Sequence, residues 1–171
     1  MTDAARHDAS ADDAQRHLVA YLNEHLLASE GGVRAFHAAA RTFEGTPHEQ
    51  ALRALAADVE RDRRDLVKII RAIGSRPTAW KRLLTGLLRL GGSINPVNLL
   101  RRRRSSMAQF ELDFLTGAVR AKRSMWDALL ELAPTDPRLD RTLLEALRMR
   151  ADQQIAEVQR ISRATVRERF A

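Results

Sequence analysis

Apolar residues return every three or four positions through most of this chain, and the pattern breaks in only a few places. From about Ala11 to Phe43 the stripe reads Leu18, Leu22, His25/Leu26, Ser29, Val33, Phe36, Ala40 and Phe43, which predicts one long helix in which Gly31-Gly32 allows a kink or a brief interruption. Gly45-Thr46-Pro47 is a stop and restart, with Thr46 and Glu49 at capping-box spacing. A second helix then runs from about Pro47 to Ile73 on Leu52, Leu55, Val59, Asp62, Leu66, Ile69/Ile70 and Ile73, and Gly74 ends it.

Residues 75–104 read differently. Thr78 to Leu90 predicts a short amphipathic helix with Trp80, Leu83, Leu84, Leu87 and Leu88 opposite Lys81, Arg82 and Arg89. Gly91-Gly92-Ser93 stops it, and Asn95-Pro96 marks a turn. A third long helix is expected over 105–132, with Met107, Phe110/Glu111, Phe114, Ala118, Ala121, Met125 and Leu129 on one face. Asp136-Pro137 opens a fourth, over 137–167, lined by Leu144, Leu147, Ala151, Ile155, Val158 and Ser162. Residues 1–10 read as a flexible tail, and 11–171 as a single domain.

The links between helices one and two and between three and four are tight, so each pair forms an antiparallel hairpin. One long crossover, 75–104, joins the hairpins. The expected fold is an all-α four-helix bundle with ferritin-like up-down-down-up wiring. Composition agrees: 44% of the 171 residues are hydrophobic, and glycine (8) and proline (5) are sparse.

Charge changes the picture more than composition does. Between Leu66 and Phe110 there is no acidic residue, yet the stretch carries Lys68, Arg71, Arg76, Lys81, Arg82, Arg89 and the run Arg101, Arg102, Arg103, Arg104. Those ten of the 29 basic residues leave nineteen elsewhere against 22 acidic ones, a net of −3 outside the stretch in a chain of net +7. A slightly acidic body with one strongly basic segment points to an anionic partner or surface. Arginine outnumbers lysine by 26 to 3, which reads as codon bias of a GC-rich genome before recognition chemistry.

The catalytic inventory is thin. With no cysteine, thiolate metal sites, disulfides and cysteine nucleophiles are excluded. The N-terminus lacks the basic start and apolar run of a signal peptide, and no window has the ~18 apolar residues of a membrane span. A cytoplasmic protein, at most peripheral to the membrane, is expected. Ferritin-like wiring invites a di-iron site, which needs Glu-x-x-His on two helices. All five histidines (His7, His17, His25, His37, His48) precede residue 49, and no Glu-x-x-His occurs. Leu90-Gly91-Gly92-Ser93 lacks the lysine and preceding strand of a phosphate loop. No cofactor is expected, and a non-enzyme is favoured. Asp62 and Glu111 sit on apolar stripes, with Lys122 three turns after Glu111. They read as a buried polar pair that fixes helix register, or as the remnant of a carboxylate metal site.

Three readings of the basic crossover stay open. The plainest packs the Trp80–Leu88 face on the bundle and leaves the arginines solvated. In the second, Trp80, Lys81, Arg82, Arg89 and Arg101–Arg104 bind an anionic lipid surface or an acidic protein, the helix lying among the headgroups. In the third the charges contact nucleic acid phosphates. Aromatic residues make up only 5%, which argues against a stacking platform for single strands. Self-association is open as well.

Tyr21-Leu22-Asn23-Glu24-His25-Leu26, Gly45-Thr46-Pro47, Glu111-Leu112-Asp113 with Lys122 and Trp126, and Asp136-Pro137-Arg138-Leu139-Asp140 together resemble a set of uncharacterised actinobacterial proteins with a ferritin-like helical bundle. The resemblance covers nearly the whole chain and implies the fold. It implies no activity, and the Arg101–Arg104 run departs from it.

Overall fold

A computed structural model describes residues 3–75 and 105–170. Among them are four helices and no strand: α1 Asp3–Thr42, α2 Glu49–Ala72, α3 Ser105–Leu132 and α4 Arg141–Phe170. The expected crossover helix, its Gly91–Ser93 stop and the arginine run lie outside the described residues.

Two boundaries differ from the sequence reading. α1 is helical from Asp3, not from Ala11, and it passes through Gly31-Gly32 without interruption. α4 starts at Arg141, not at Pro137. Asp140 is its cap: Leu143 N–H donates to Asp140 Oδ1 at 3.0 Å. Asp136 is used differently. Its Oδ1 accepts from Arg138 N at 3.0 Å and Nε at 2.8 Å, so the Pro137 turn is a folded corner ahead of the helix.

The first corner uses Thr46 and Glu49, but one residue out of phase with a capping box. Glu49 Oε2 accepts from Gly45 N–H at 2.7 Å, while Thr46 Oγ1 donates to Phe43 O at 2.6 Å. At the end of α2, Gly74 has φ +81, Gly74 N–H bonds Arg71 O, and Ser75 N–H bonds Ile70 O. That is a Schellman cap, and its left-handed residue selects glycine.

α1 packs along α2 and α3 along α4; α1 also meets α3, and α2 meets α4 more lightly. One polar cluster ties three corners together. Gln15 Nε2 donates to Ile73 O at 2.9 Å, and Arg138 reaches the same carbonyl at 3.2 Å and Gln15 Oε1 at 2.9 Å. The first turns of α1, the last of α2 and the α3–α4 corner therefore share one end of the bundle.

The core runs through Leu22, Leu26 and Phe36 of α1, Phe43 just after it, Leu52, Leu55, Val59, Leu66 and Ile70 of α2, and Leu144, Leu147, Ala151 and Val158 of α4, all buried. α3 contributes Ala108, Leu112, Leu115 and Val119, spaced by threes and fours, and then Met125, Trp126 and Leu129. Met125 and Leu129 of the face expected from the sequence are buried with it, but the first half of that face is not. Met107, Phe110 and Phe114 are exposed, Phe110 by 64%. Two stripes about 100° apart compete in the first half of α3, and the one carrying Phe110 and Phe114 faces outward.

Candidate functional site

Two carboxylates are buried on α2, Asp62 and Asp65, and the Asp62 side chain has no exposure at all. Its partners come from two other helices. Lys122 of α3 and Gln154 Nε2 of α4 (3.0 Å) both donate to Oδ2, and Arg150 Nη1 of α4 donates to Oδ1 at 2.6 Å. Lys122 also donates to Gln154 Oε1. Asp65, one turn on, lies 3.5 Å from Arg150 and accepts from Lys68 at 2.9 Å. A buried carboxylate is tolerable only when charge and lone pairs are answered together, and here both oxygens are.

The expected pairing of Asp62 with Lys122 is present. Glu111 stands half-buried on α3 and is not among the groups that hydrogen-bond Asp62, which are Lys122, Arg150 and Gln154. Arg150 and Gln154 were missed. Gln154 sits at the core register of α4, three residues after Ala151 and four before Val158, and the expected Ile155 packs partly buried against the core beside it. Burial lowers the Lys122 pKa, and the attraction of Asp62 offsets this only partly. Burial works on Arg150 in the same sense, but Asp62 and Asp65 outweigh it and hold its pKa above the ordinary value.

As chemistry, this cluster is a clamp. Asp62 faces two cations, and among the described residues no group of three or more His, Asp or Glu is placed to hold a metal ion. The carboxylate that a metal reading requires is thus already engaged by Lys122 and Arg150.

The remaining sequence candidates, Trp80, Lys81, Arg82, Arg89, Arg101, Arg102, Arg103 and Arg104, all lie outside the described residues. What stands beside them is described. Met107, Phe110 and Phe114 form an exposed apolar ridge on the first turns of α3, directly after the arginine run in sequence. Gln109 bonds Ser162 at 2.6 Å and Thr165 at 3.2 Å, which places the exposed Val166 and Phe170 of α4 at the same end. Exposed apolar groups this large and this clustered mark contact surfaces in soluble folds. The 3.6-residue period of Met107, Phe110 and Phe114 was legible in the sequence but was assigned to the core.

No family model, curated protein or solved structure matches the chain. Among the described residues, no helix is long and apolar enough to cross a membrane.

Proposed function

We propose that this protein is a non-enzymatic binding module in which the bundle is a near-neutral scaffold and residues 76–104 engage an anionic lipid surface. The observation that carries the reading is the partition of charge. Residues 76–104 hold eight of the 29 basic residues and none of the 22 acidic ones, so the rest of the chain has 21 basic against 22 acidic residues, a net of −1. Carboxylates of the helices already pair with cations of the same helices, as Glu49 does with Arg53, Glu145 with Arg141 and Glu157 with Arg160.

Two further features favour lipid over an acidic protein. Arg101–Arg104 immediately precede the N-terminus of α3, where the helix dipole disfavours cations, so helix stability does not account for the run. The exposed Met107, Phe110 and Phe114 follow it, and cationic plus apolar groups together are what headgroup-level binding requires. Each basic residue near an anionic leaflet is worth about 1 kcal/mol. The ferritin-like up-down-down-up wiring belongs to the same proposal. It is supported by the meeting of Gln15, Ile73 and Arg138 at one end, since α2 and α3 would then both finish there.

Flotation of the intact protein with phosphatidylserine-containing vesicles and with neutral phosphatidylcholine vesicles tests this. Recovery with the anionic vesicles alone, declining with added salt, is expected. Equal recovery with both, or with neither, overturns it, and a salt-dependent shift of duplex DNA without vesicle binding assigns the charges to nucleic acid instead.

A further inference from the structure

A cavity of about 130 Å³ opens between α1, α2 and α3. Ala28 and Ala121 are the exposed residues of its lining, and Gly32 and Ala118 lie behind them. Its deeper wall is Phe36, Val59, Leu66, Val119 and Met125. An apolar cavity near 150 Å³ accepts a benzene-sized molecule.

The polar groups on this lining are what single it out. Trp126 is fully buried, lines the cavity, and its Nε1–H has no acceptor among the described residues. Arg63 lines it too, and its buried Nε–H is likewise without an acceptor there. Buried donors are nearly always satisfied, because an unsatisfied one bears the full loss of its hydration. The charges around the cavity, by contrast, are already answered. Asp62 is held by Lys122 and Arg150, and Arg63 Nη2 bonds Glu30 Oε1 at 2.6 Å. His25, half-buried on the lining, has its pKa lowered below 6.5 by burial, which disfavours its charged form.

We propose that this cavity is a binding site for a compact, uncharged, mainly apolar molecule carrying one hydrogen-bond acceptor, which the indole N–H of Trp126 receives. An aryl ketone is the simplest member of that class. The ring takes the apolar wall and the carbonyl oxygen takes the orphan donor. A charged ligand has no counter-ion left to meet.

Only two indole N–H groups exist in the protein, on Trp80 and Trp126, so proton–nitrogen NMR reads the site directly. A Trp80→Phe variant leaves the Trp126 signal alone. Acetophenone, isopropylbenzene and benzoate serve as probes of similar size: acceptor, no acceptor, and charge. Acetophenone is expected to move the Trp126 indole signal saturably, and to bind roughly fivefold or more tightly than isopropylbenzene, the ratio of one net hydrogen bond. Ala118→Leu and Gly32→Leu fill the mouth from two helices and are each expected to abolish the shift; nothing lies within 4 Å of a Cβ added at Gly32. The titration of the otherwise native chain decides the matter even if a filled variant folds poorly. An unmoved indole signal at roughly 5 mM acetophenone, equal affinity for isopropylbenzene, tighter binding of benzoate, or an undiminished shift in a folded filled variant would each overturn the proposal.

Discussion

Arg150 donates to the Asp62 carboxylate at 2.6 Å from a helix 88 residues further along the chain. With Lys122 on the other oxygen, α2, α3 and α4 are tied at one buried point. Such a clamp adds little net stability over an apolar core, but removing one partner strands the others.

The members of the clamp are therefore unequal. Asp62→Ala leaves Lys122 and Arg150 facing each other without an anion, and a loss of about 3–5 kcal/mol is expected in urea unfolding. Lys122→Met keeps Arg150 and Gln154 on the carboxylate and replaces a partly buried cation by an apolar chain of similar length. It is expected to cost less than about 1.5 kcal/mol. Equal losses in the two variants would show that Arg150 does not hold Asp62 in solution.

Lys122 also sets a pH dependence. Burial depresses its folded pKa below the ordinary 10.5, against the pull of Asp62 and Asp58 and with the repulsion of Arg150. The unfolded chain then holds the proton more tightly, so this group weakens the fold at neutral pH and the penalty is relieved as pH climbs from the folded pKa to 10.5. Wild type should gain on Lys122→Met over that window and keep a constant gap below it. Unfolding free energies measured between pH 7 and the ordinary lysine value give the sign.

The three-corner cluster makes the opposite prediction in acid. Hydrogen bonding from Arg138 holds the Asp136 pKa below 3.8, so its contribution is present above that value and lost as pH falls through the depressed one. Arg138→Ala removes the contacts to Asp136, Gln15 and Ile73 O together. With the Arg138 side chain 44% exposed, about 1 kcal/mol is expected near pH 7, shrinking in acid. A cost independent of pH would assign the residue to packing alone.

Glycines separate into two kinds. Gly31 and Gly117 lie inside helices with nothing within 4 Å of an added Cβ, and alanine at either is expected to raise stability by about 0.5–1 kcal/mol. Gly45 and Gly74 have φ of +76 and +81, where alanine is expected to lower stability by about 1 kcal/mol. Thermal midpoints of the four variants check the division, a shift of about 2–4 °C per kcal/mol being typical at this chain length.

Much of the bundle was legible because the stripes of α1 and α2 are unopposed: Leu52, Leu55, Val59, Leu66 and Ile70 have no rival apolar face. α3 misled because Phe110 and Phe114 outweigh Leu112 and Leu115 in bulk, and periodicity alone does not say which of two stripes meets the neighbouring helix. Asp62 announced itself as a polar residue in an apolar stripe. Arg150 did not, since it lies off the apolar stripe of α4 and reaches the core carboxylate only through its guanidinium. Trp126 was quoted only as part of a resemblance. Its significance needed the cavity, which arises where Ala28 and Gly32 on α1 meet Ala118 and Ala121 on α3.

The decisive measurement for the functional reading compares wild type with the variant carrying serine at Arg101, Arg102, Arg103 and Arg104. Both are floated with phosphatidylserine vesicles, after circular dichroism has established equal helicity and melting. Loss of four cations is expected to abolish recovery while the fold stays intact, each being worth about 1 kcal/mol at an anionic leaflet. Undiminished recovery of the folded variant would contradict it and remove the basic segment from the protein's function.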